Sequence, residues 1–274
     1  MCDDAILEVK NLSYSYDGEK KIFSNIDFKL HKGEVLVILG ANGAGKSTLL
    51  DCISNMLTPT RGEILLKGKN IAKYAINDVA KIMGYVPQIS VPTFSYTVRD
   101  YIVMGRAPHM GILNVPGPAE YDKVDEVMKD MWISNLADKI YANISGGERQ
   151  QAQIARILVQ ETDIILLDEP TNHLDYGNQL KIIEIISQLA RNRGLTVVLT
   201  SHIPDHAIMI DEKVGILDNL GHMRVGPVKE VISEASLKAL YHTDLHLVYI
   251  DELKRVACVA GKLNDENRKQ FRSI

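Results

Sequence analysis

The run Val35-Leu36-Val37-Ile38-Leu39 is apolar at every position and leads directly into Gly40-Ala41-Asn42-Gly43-Ala44-Gly45-Lys46-Ser47-Thr48. A strand apolar on both faces must be covered on both faces. A parallel sheet flanked by helices provides that cover. The glycines let the backbone curl so that successive N–H groups turn inward, and a helix starting near Lys46 adds its positive end. The chain is thereby committed to a strand–loop–helix unit with an anion cradle at its tip. Polyphosphate fits such a cradle: Gly40, Ala41, Asn42, Gly43, Ala44, Gly45 and Thr48 wrap it, Lys46 reaches the β- and γ-phosphates of ATP, and the Ser47 hydroxyl ligates Mg²⁺.

Three more apolar segments end in polar groups suited to the same ligand. Ile82–Val86 runs to Gln88, Ile164–Leu167 to Asp168-Glu169, and Leu195–Thr200 to Ser201-His202. Ligands of open parallel sheets bind beyond the carboxyl ends of the strands, so all four segments deliver their groups to one edge. There Asp168 is read as holding Mg²⁺ through water, with Ser47 and Gln88 completing the metal set. Glu169 is read as the general base that polarises the attacking water. His202 is placed to bond the γ-phosphate, and Gln88 to report metal and water to the segment behind it. Lys46, Gln88, Glu169 and His202 form the candidate catalytic set. Tyr16 is the candidate platform for the adenine ring, with Tyr14 as competitor, because an aromatic face stacks on any purine.

Ile144-Ser145-Gly146-Gly147-Glu148 precedes a helical pattern containing Ile154, Ile157 and Leu158. Ser-x-x-Glu before an apolar-periodic run is a capping box. A capped helix start with two glycines also presents bare N–H groups and a hydroxyl, which is an anion site. The two readings are compatible, and the phosphate bound there need not belong to the same chain.

Around this frame the segment 5–35 alternates polar and apolar residues between turns at Asp17-Gly18 and Lys32-Gly33, as an antiparallel β layer does. Residues 61–72 read as short strands with turns at Arg61-Gly62 and Lys67–Asn70. From about 90 to 143 the prolines Pro92, Pro108, Pro116 and Pro118 and an amphipathic run through Val124, Val127, Met128 and Met131 mark an inserted helical subdomain. Helices over 146–160 and 178–191 and a helix near 228–240 complete the expectation. The formal charge of −4 gives no electrostatic case for nucleic acid, and the three cysteines are too far apart for a zinc site, pointing to a reducing cytosol. The acidic start Met1-Cys2-Asp3-Asp4 is unlike a signal peptide, and no apolar run approaches the ~18 residues that span a bilayer. Any membrane passage therefore belongs to another chain. His242, Asp244 and His246 lie in a strand-like alternation and are not read as a metal site. The tail with Lys262, Arg268, Lys269 and Arg272 is read as solvated.

With these motifs in place, the chain from about 5 to 230 resembles the nucleotide-binding subunit of ABC transporters. In that pattern Gly40–Thr48 is Walker A, Gln88 the Q-loop, Ile144–Gln150 the signature, Ile164–Glu169 Walker B, Asp175 the D-loop aspartate and His202 the switch histidine. The resemblance implies an α/β fold: a P-loop NTPase core, an N-terminal antiparallel β layer and an ABC-specific helical insertion. It implies one ATPase domain over 1–240, with a subdomain about 90–160 inserted and an extension over 241–274. Two copies would sandwich two ATP molecules, so Ser145, Gly146, Gly147, Glu148 and Asp175 also join the nucleotide-binding set. Ile144 stands where leucine is usual, and Ile203-Pro204 where an acidic residue is common; neither removes a reacting group.

Val98-Arg99-Asp100, Met104-Gly105-Arg106-Ala107-Pro108-His109, Thr171–Asp175 and Ser201–Ala207 look like the ATPases of iron-siderophore, haem and cobalamin importers. That resemblance implies a peripheral subunit at the cytoplasmic face of the membrane, working with permease subunits and indirectly with a substrate-binding protein. The 98–109 segment lies in the helical insertion, the part expected to touch the permease. A soluble ABC ATPase serving complex assembly, of the iron–sulfur type, remains the alternative. A non-hydrolysing sensor is disfavoured by Glu169 and His202, and export stays open beside import.

Overall fold

A computed structural model describes residues 5–18, 20–88, 95–111 and 114–261. Pro92 and the basic residues from Lys262 onward lie outside them. Strands β1 (Leu7–Ser15) and β2 (Lys21–Leu30) form the expected hairpin, and β3 (Val35–Leu39) is buried at all five positions. Helix α1 (Lys46–Ile53) follows the glycine loop, then β4 (Arg61–Leu66) and β5 (Lys69–Asn70). The expected turn at Arg61-Gly62 is instead the first step of β4. Gly62 takes φ +89°, where β1 shifts register, and a Cβ there would meet the carbonyl oxygens of Lys10 and Asn11 at 2.4 Å. Crowding, not chain reversal, requires this glycine.

Helix α2 (Ile76–Ile82), absent from the sequence expectation, takes Ile82, so β6 (Met83–Val86) starts one residue late. The insertion then runs through α3 (Val98–Val103), a 3₁₀ turn over Met104–His109, α4 (Pro118–Asp130) and α5 (Gly146–Leu158). Val124 and Met128, one turn apart on α4, are buried as the period demands. Then come β7 (Ile164–Leu167), α6 (Tyr176–Arg193), β8 (Thr196–Ser201), α7 (Pro204–Ile210), β9 (Lys213–Leu217) and β10 (Met223–Pro227). The single helix expected near 228–240 is two, α8 (Val228–Val231) and α9 (Glu234–Tyr241), because Ser233 leaves the helix to cap α9. A hairpin, β11 (Leu245–Ile250) with β12 (Arg255–Ala260), closes the described chain.

One sheet has the order β10-β9-β3-β8-β7-β6, parallel except at β10; the other is antiparallel, β2-β1-β4-β5. Alternation along β3 decides which core each residue joins. Val35, Val37 and Leu39 face the helical side, whereas Leu36 and Ile38 face α1 and the antiparallel sheet. The parallel strands are largely buried, and the C-terminal ends of β3, β6, β7 and β8 lie along one edge of the sheet.

Candidate functional site

The loop after β3 turns through two left-handed glycines, Gly43 at φ +81° and Gly45 at φ +97°. A Cβ on Gly43 would meet nothing within 4 Å, so the loop's inner face is open to a ligand; one on Gly45 would meet Ile22 Cγ2 at 2.5 Å. Lys46 folds back under this arch, where its Nζ donates to the carbonyl oxygens of Gly40 (2.9 Å) and Ala41 (3.1 Å). It also lies 3.1 Å from Glu169 Oε1. Lys46, only 5% exposed, thus holds its ammonium against the general-base candidate across the strand ends.

Glu169 collects the rest of the catalytic set. Its Oε2 accepts from Gln88 Nε2 and from Asn172 Nδ2, each at 3.1 Å, and His202 Nδ1 lies 3.7 Å away. The backbone of Glu169 sits at φ +45°, a left-handed conformation that costs a side-chain-bearing residue about 1–3 kcal/mol unless its surroundings impose it. Here they do. Thr200 Oγ1 accepts the Glu169 N–H at 2.8 Å and donates its own proton to Asp168 Oδ1 at 2.7 Å. The sequence gives Thr200 no role and marks Asn172 only within the Thr171–Asp175 resemblance; one hydroxyl at the end of β8 orients both acids at the end of β7.

Ser47, Gln88 and Asp168 line a single cavity of about 640 Å³. Asp51 and Tyr85, also missed, line it too, with the Tyr85 hydroxyl donating to Asp51 Oδ1 at 3.1 Å. Burial pushes the Asp51 carboxyl above its ordinary value and the Asp168 charge adds to this, against the Tyr85 bond. Three uncharged or acidic oxygen ligands facing one cavity, next to a phosphate cradle, suit a hard dication such as Mg²⁺.

The Tyr16 ring is 66% exposed, its hydroxyl 3.1 Å from Thr48 Oγ1, and it stands edge-on to Tyr14 with centroids 5.0 Å apart. Tyr14 is buried and stacks on Phe23, so only Tyr16 has a free face to offer. Ser145 caps α5 as the capping box requires: its Oγ accepts from Glu148 N, and Glu148 Oε2 accepts from Ser145 N at 2.9 Å. That backbone bond holds the Glu148 carboxyl below its ordinary value. Ser145 and Gly146 are exposed. A Cβ on Gly147 would meet the Asn178 side chain at 2.6 Å, and Asn178 is itself clamped by Asp175, the N-cap of α6. The signature run and Asp175 are thus linked through Asn178: Ser145 and Glu148 bond each other, Glu148 pairs with Lys139, and Asp175 bonds Asn178.

In the Met104–His109 segment Gly105 and Arg106 are buried, whereas Met104, Ala107 and His109 are exposed. Gly105 lies so close to the end of α5 that a Cβ would meet Arg156 O at 1.9 Å. Arg106 is buried and donates to Val159 O (2.6 Å) and Glu161 (2.8 Å), and His109 Nε2 lies 2.7 Å from Gln160 O. Arg106 and His109 thus hold the carbonyls of Val159 and Gln160, just past the end of α5.

A sequence model described as ABC transporter matches residues 23–172. The chain belongs to the ABC transporter family. It is an ATPase of that family, in which ATP hydrolysis is coupled to transport. The ferric enterobactin transport ATP-binding protein FepC of Escherichia coli is 32% identical over 248 residues, covering 90% of each chain. The molybdate import ATP-binding protein MolC of Haemophilus influenzae is 34% identical over 236 residues, 86% of this chain and 88% of MolC. Among solved structures, an inward-facing metal-chelate type ABC transporter superposes with a TM-score of 0.84 at 31% identity, over 94% of this chain and 98% of that one.

Proposed function

We propose that this ATPase drives an importer of a metal chelate, of the iron-siderophore, haem or cobalamin type, through a separate membrane permease. Its location would be peripheral, at the cytoplasmic face; among the described residues no helix is long and apolar enough to cross a membrane. Residues 1–240 act as the ATPase unit and 241–274 as an extension. The observation that carries the hydrolytic half is the convergence of Lys46, Gln88, Asn172 and His202 on the one carboxylate of Glu169. ATP entering the cradle takes Lys46 onto its β- and γ-phosphates. Glu169, freed of that ion pair, accepts a proton from the attacking water, which His202 and Gln88 hold in line. Ser47, Gln88 and Asp168 would hold Mg²⁺, whose chemistry when bound is to neutralise charge on the phosphates.

The exposed Ser145-Gly146 cap has no phosphate of its own chain to bind, so it serves the ATP held by a second copy, with Asp175 beside it. ATP closes the pair, and hydrolysis with product release reopens it. Support for the cargo class comes from relatives named for ferric enterobactin and achromobactin transport and from the metal-chelate transporter of similar fold.

Two measurements test this reading. Glu169→Gln is expected to lower phosphate release ~10²–10⁴-fold; near-normal turnover sinks the general-base assignment. The ATPase is expected to copurify with a polytopic permease and to stimulate uptake of a ferric chelate. Recovery with soluble partners alone favours the assembly ATPase, and uptake of molybdate alone overturns the chelate cargo.

A further inference from the structure

His206 belongs to none of the ATP motifs, yet its imidazole is 3% exposed on the inner face of α7, and its Nδ1 lies 2.9 Å from Ser201 Oγ. Ser201, the last residue of β8, is 2% exposed, and its hydroxyl accepts the Ile203 N–H at 3.0 Å. That i→i+2 bond closes a three-residue loop with His202 at its apex. A hydroxyl has one proton to give. With a lone pair turned to Ile203 N, the proton points to His206 Nδ1, because the other acceptor nearby, Ile203 O, is 3.5 Å away. A neutral His206 with its proton on Nε2 is the acceptor this arrangement needs. Burial keeps it neutral, pushing its pKa down to about 4, with His202 adding repulsion. From the apex, His202 extends toward Glu169, its Nδ1 buried and without a hydrogen bond of its own. Its direction is therefore set by the backbone loop that carries it.

We infer that His206 is a positioning residue for hydrolysis: by accepting the Ser201 hydroxyl it fixes the Ser201–Ile203 loop and so aims His202 at the γ-phosphate side of Glu169. The inference rests on the role of His202 proposed above. Helix α7 is in turn fastened to the C-terminal hairpin, where Asp205 Oδ1 accepts the Cys258 N–H at 3.2 Å and lies 3.7 Å from Arg255. The acceptor thus stands on a braced element.

Steady-state ATP hydrolysis by the full chain tests it in four variants: His206→Leu, His206→Asn, His202→Ala and the double His202→Ala/His206→Leu. His206→Leu is expected to lower kcat about tenfold with KM for ATP within about twofold, as a lost hydrogen bond worth a factor of ten would do. Asparagine, whose Oδ1 takes the place of Nδ1, is expected to recover most of the rate. In the His202→Ala background, His206→Leu is expected to change kcat less than about twofold, since the residue it acts through is gone. Losses that multiply in the double variant, or an asparagine no better than leucine, overturn the inference. If His206→Leu does not fold, His206→Phe, closer to imidazole in shape and likewise without an acceptor for the Ser201 hydroxyl, takes its place and must show the same pattern. A slow His202→Ala beside a normal His206→Leu sinks this inference alone. Full turnover by His202→Ala sinks the reading of His202 and the inference with it.

Discussion

Thr200→Val removes one oxygen atom and tests how the two acids of the site are held. Thr200 is completely buried at the end of β8, and valine has the same shape and suits a strand, so neither a cavity nor a backbone penalty is expected. What is lost is the donor to Asp168 Oδ1 and the acceptor of the Glu169 N–H. A hydrogen bond to a charged group contributes about 1.5–3 kcal/mol, and a buried N–H left alone costs about 1–3 kcal/mol. The extra methyl returns about 0.8 kcal/mol of burial. The net destabilisation is about 2–5 kcal/mol, which in a domain of this size lowers the thermal midpoint by roughly 4–20 °C. The left-handed backbone of Glu169 loses its anchor at the same time, so phosphate release is expected to fall at least about tenfold. Thr200→Ser keeps both bonds and is expected to stay within about 1 kcal/mol and severalfold of the wild-type rate. Thermal melts and a phosphate-release assay on the two variants decide the matter. A valine variant as stable and active as wild type, or a serine variant as damaged as valine, refutes the reasoning.

Two further outcomes follow from the same geometry. Tyr16→Ala removes the only exposed face of the Tyr14–Tyr16 pair, and base stacking worth about 1–3 kcal/mol sets a rise in KM for ATP of roughly 5- to 150-fold with kcat little changed. Tyr14→Phe is expected to leave KM alone, and an unchanged KM in Tyr16→Ala removes the platform from the site. For pH, the folded His206 has a pKa of about 4 against an ordinary 6.5, so between these values the unfolded chain binds a proton that the folded one refuses. Stability contributed by the neutral imidazole is complete above pH 6.5, falls by up to about 3 kcal/mol as pH drops to 4, and falls no further below. Urea melts across that window should show a flatter profile for His206→Asn, and identical slopes contradict the assignment.

The parts of the site that were legible in the sequence are those whose signal is local. Gly40–Thr48 follows an unbroken apolar strand, and Asp168-Glu169 and His202 follow two more, so period and strand-end position place them without knowledge of the pairing. Ser145 and Glu148 announce a capped helix within four residues. Thr200, Asn172, Asp51 and Tyr85 carry no such mark. The bond from Thr200 spans 32 residues to Asp168, and Tyr85 spans 34 to Asp51, so only the order of the strands reveals them. Within the importer-like Met104–His109 segment, Gly105 and Arg106 pack against the end of α5, a contact that only the fold reveals, while Met104, Ala107 and His109 stay exposed. The alternation around His246 marks β11, but its pairing with β12 carries no sequence mark, because the turn from Asp251 to Lys254 has no glycine and Lys254 itself takes the left-handed conformation at φ +50°.

The central claim is that the ATP held by one chain is closed over by Ser145 of another. Sedimentation of Glu169→Gln, with and without Ser145→Arg, tests it most directly. With ATP and Mg²⁺, Glu169→Gln is expected at twice the monomer mass, while Glu169→Gln/Ser145→Arg is expected to bind a fluorescent ATP analogue with similar affinity and stay monomeric. A double variant that still dimerises with ATP, or a Ser145→Arg chain that loses ATP binding as a monomer, contradicts the account.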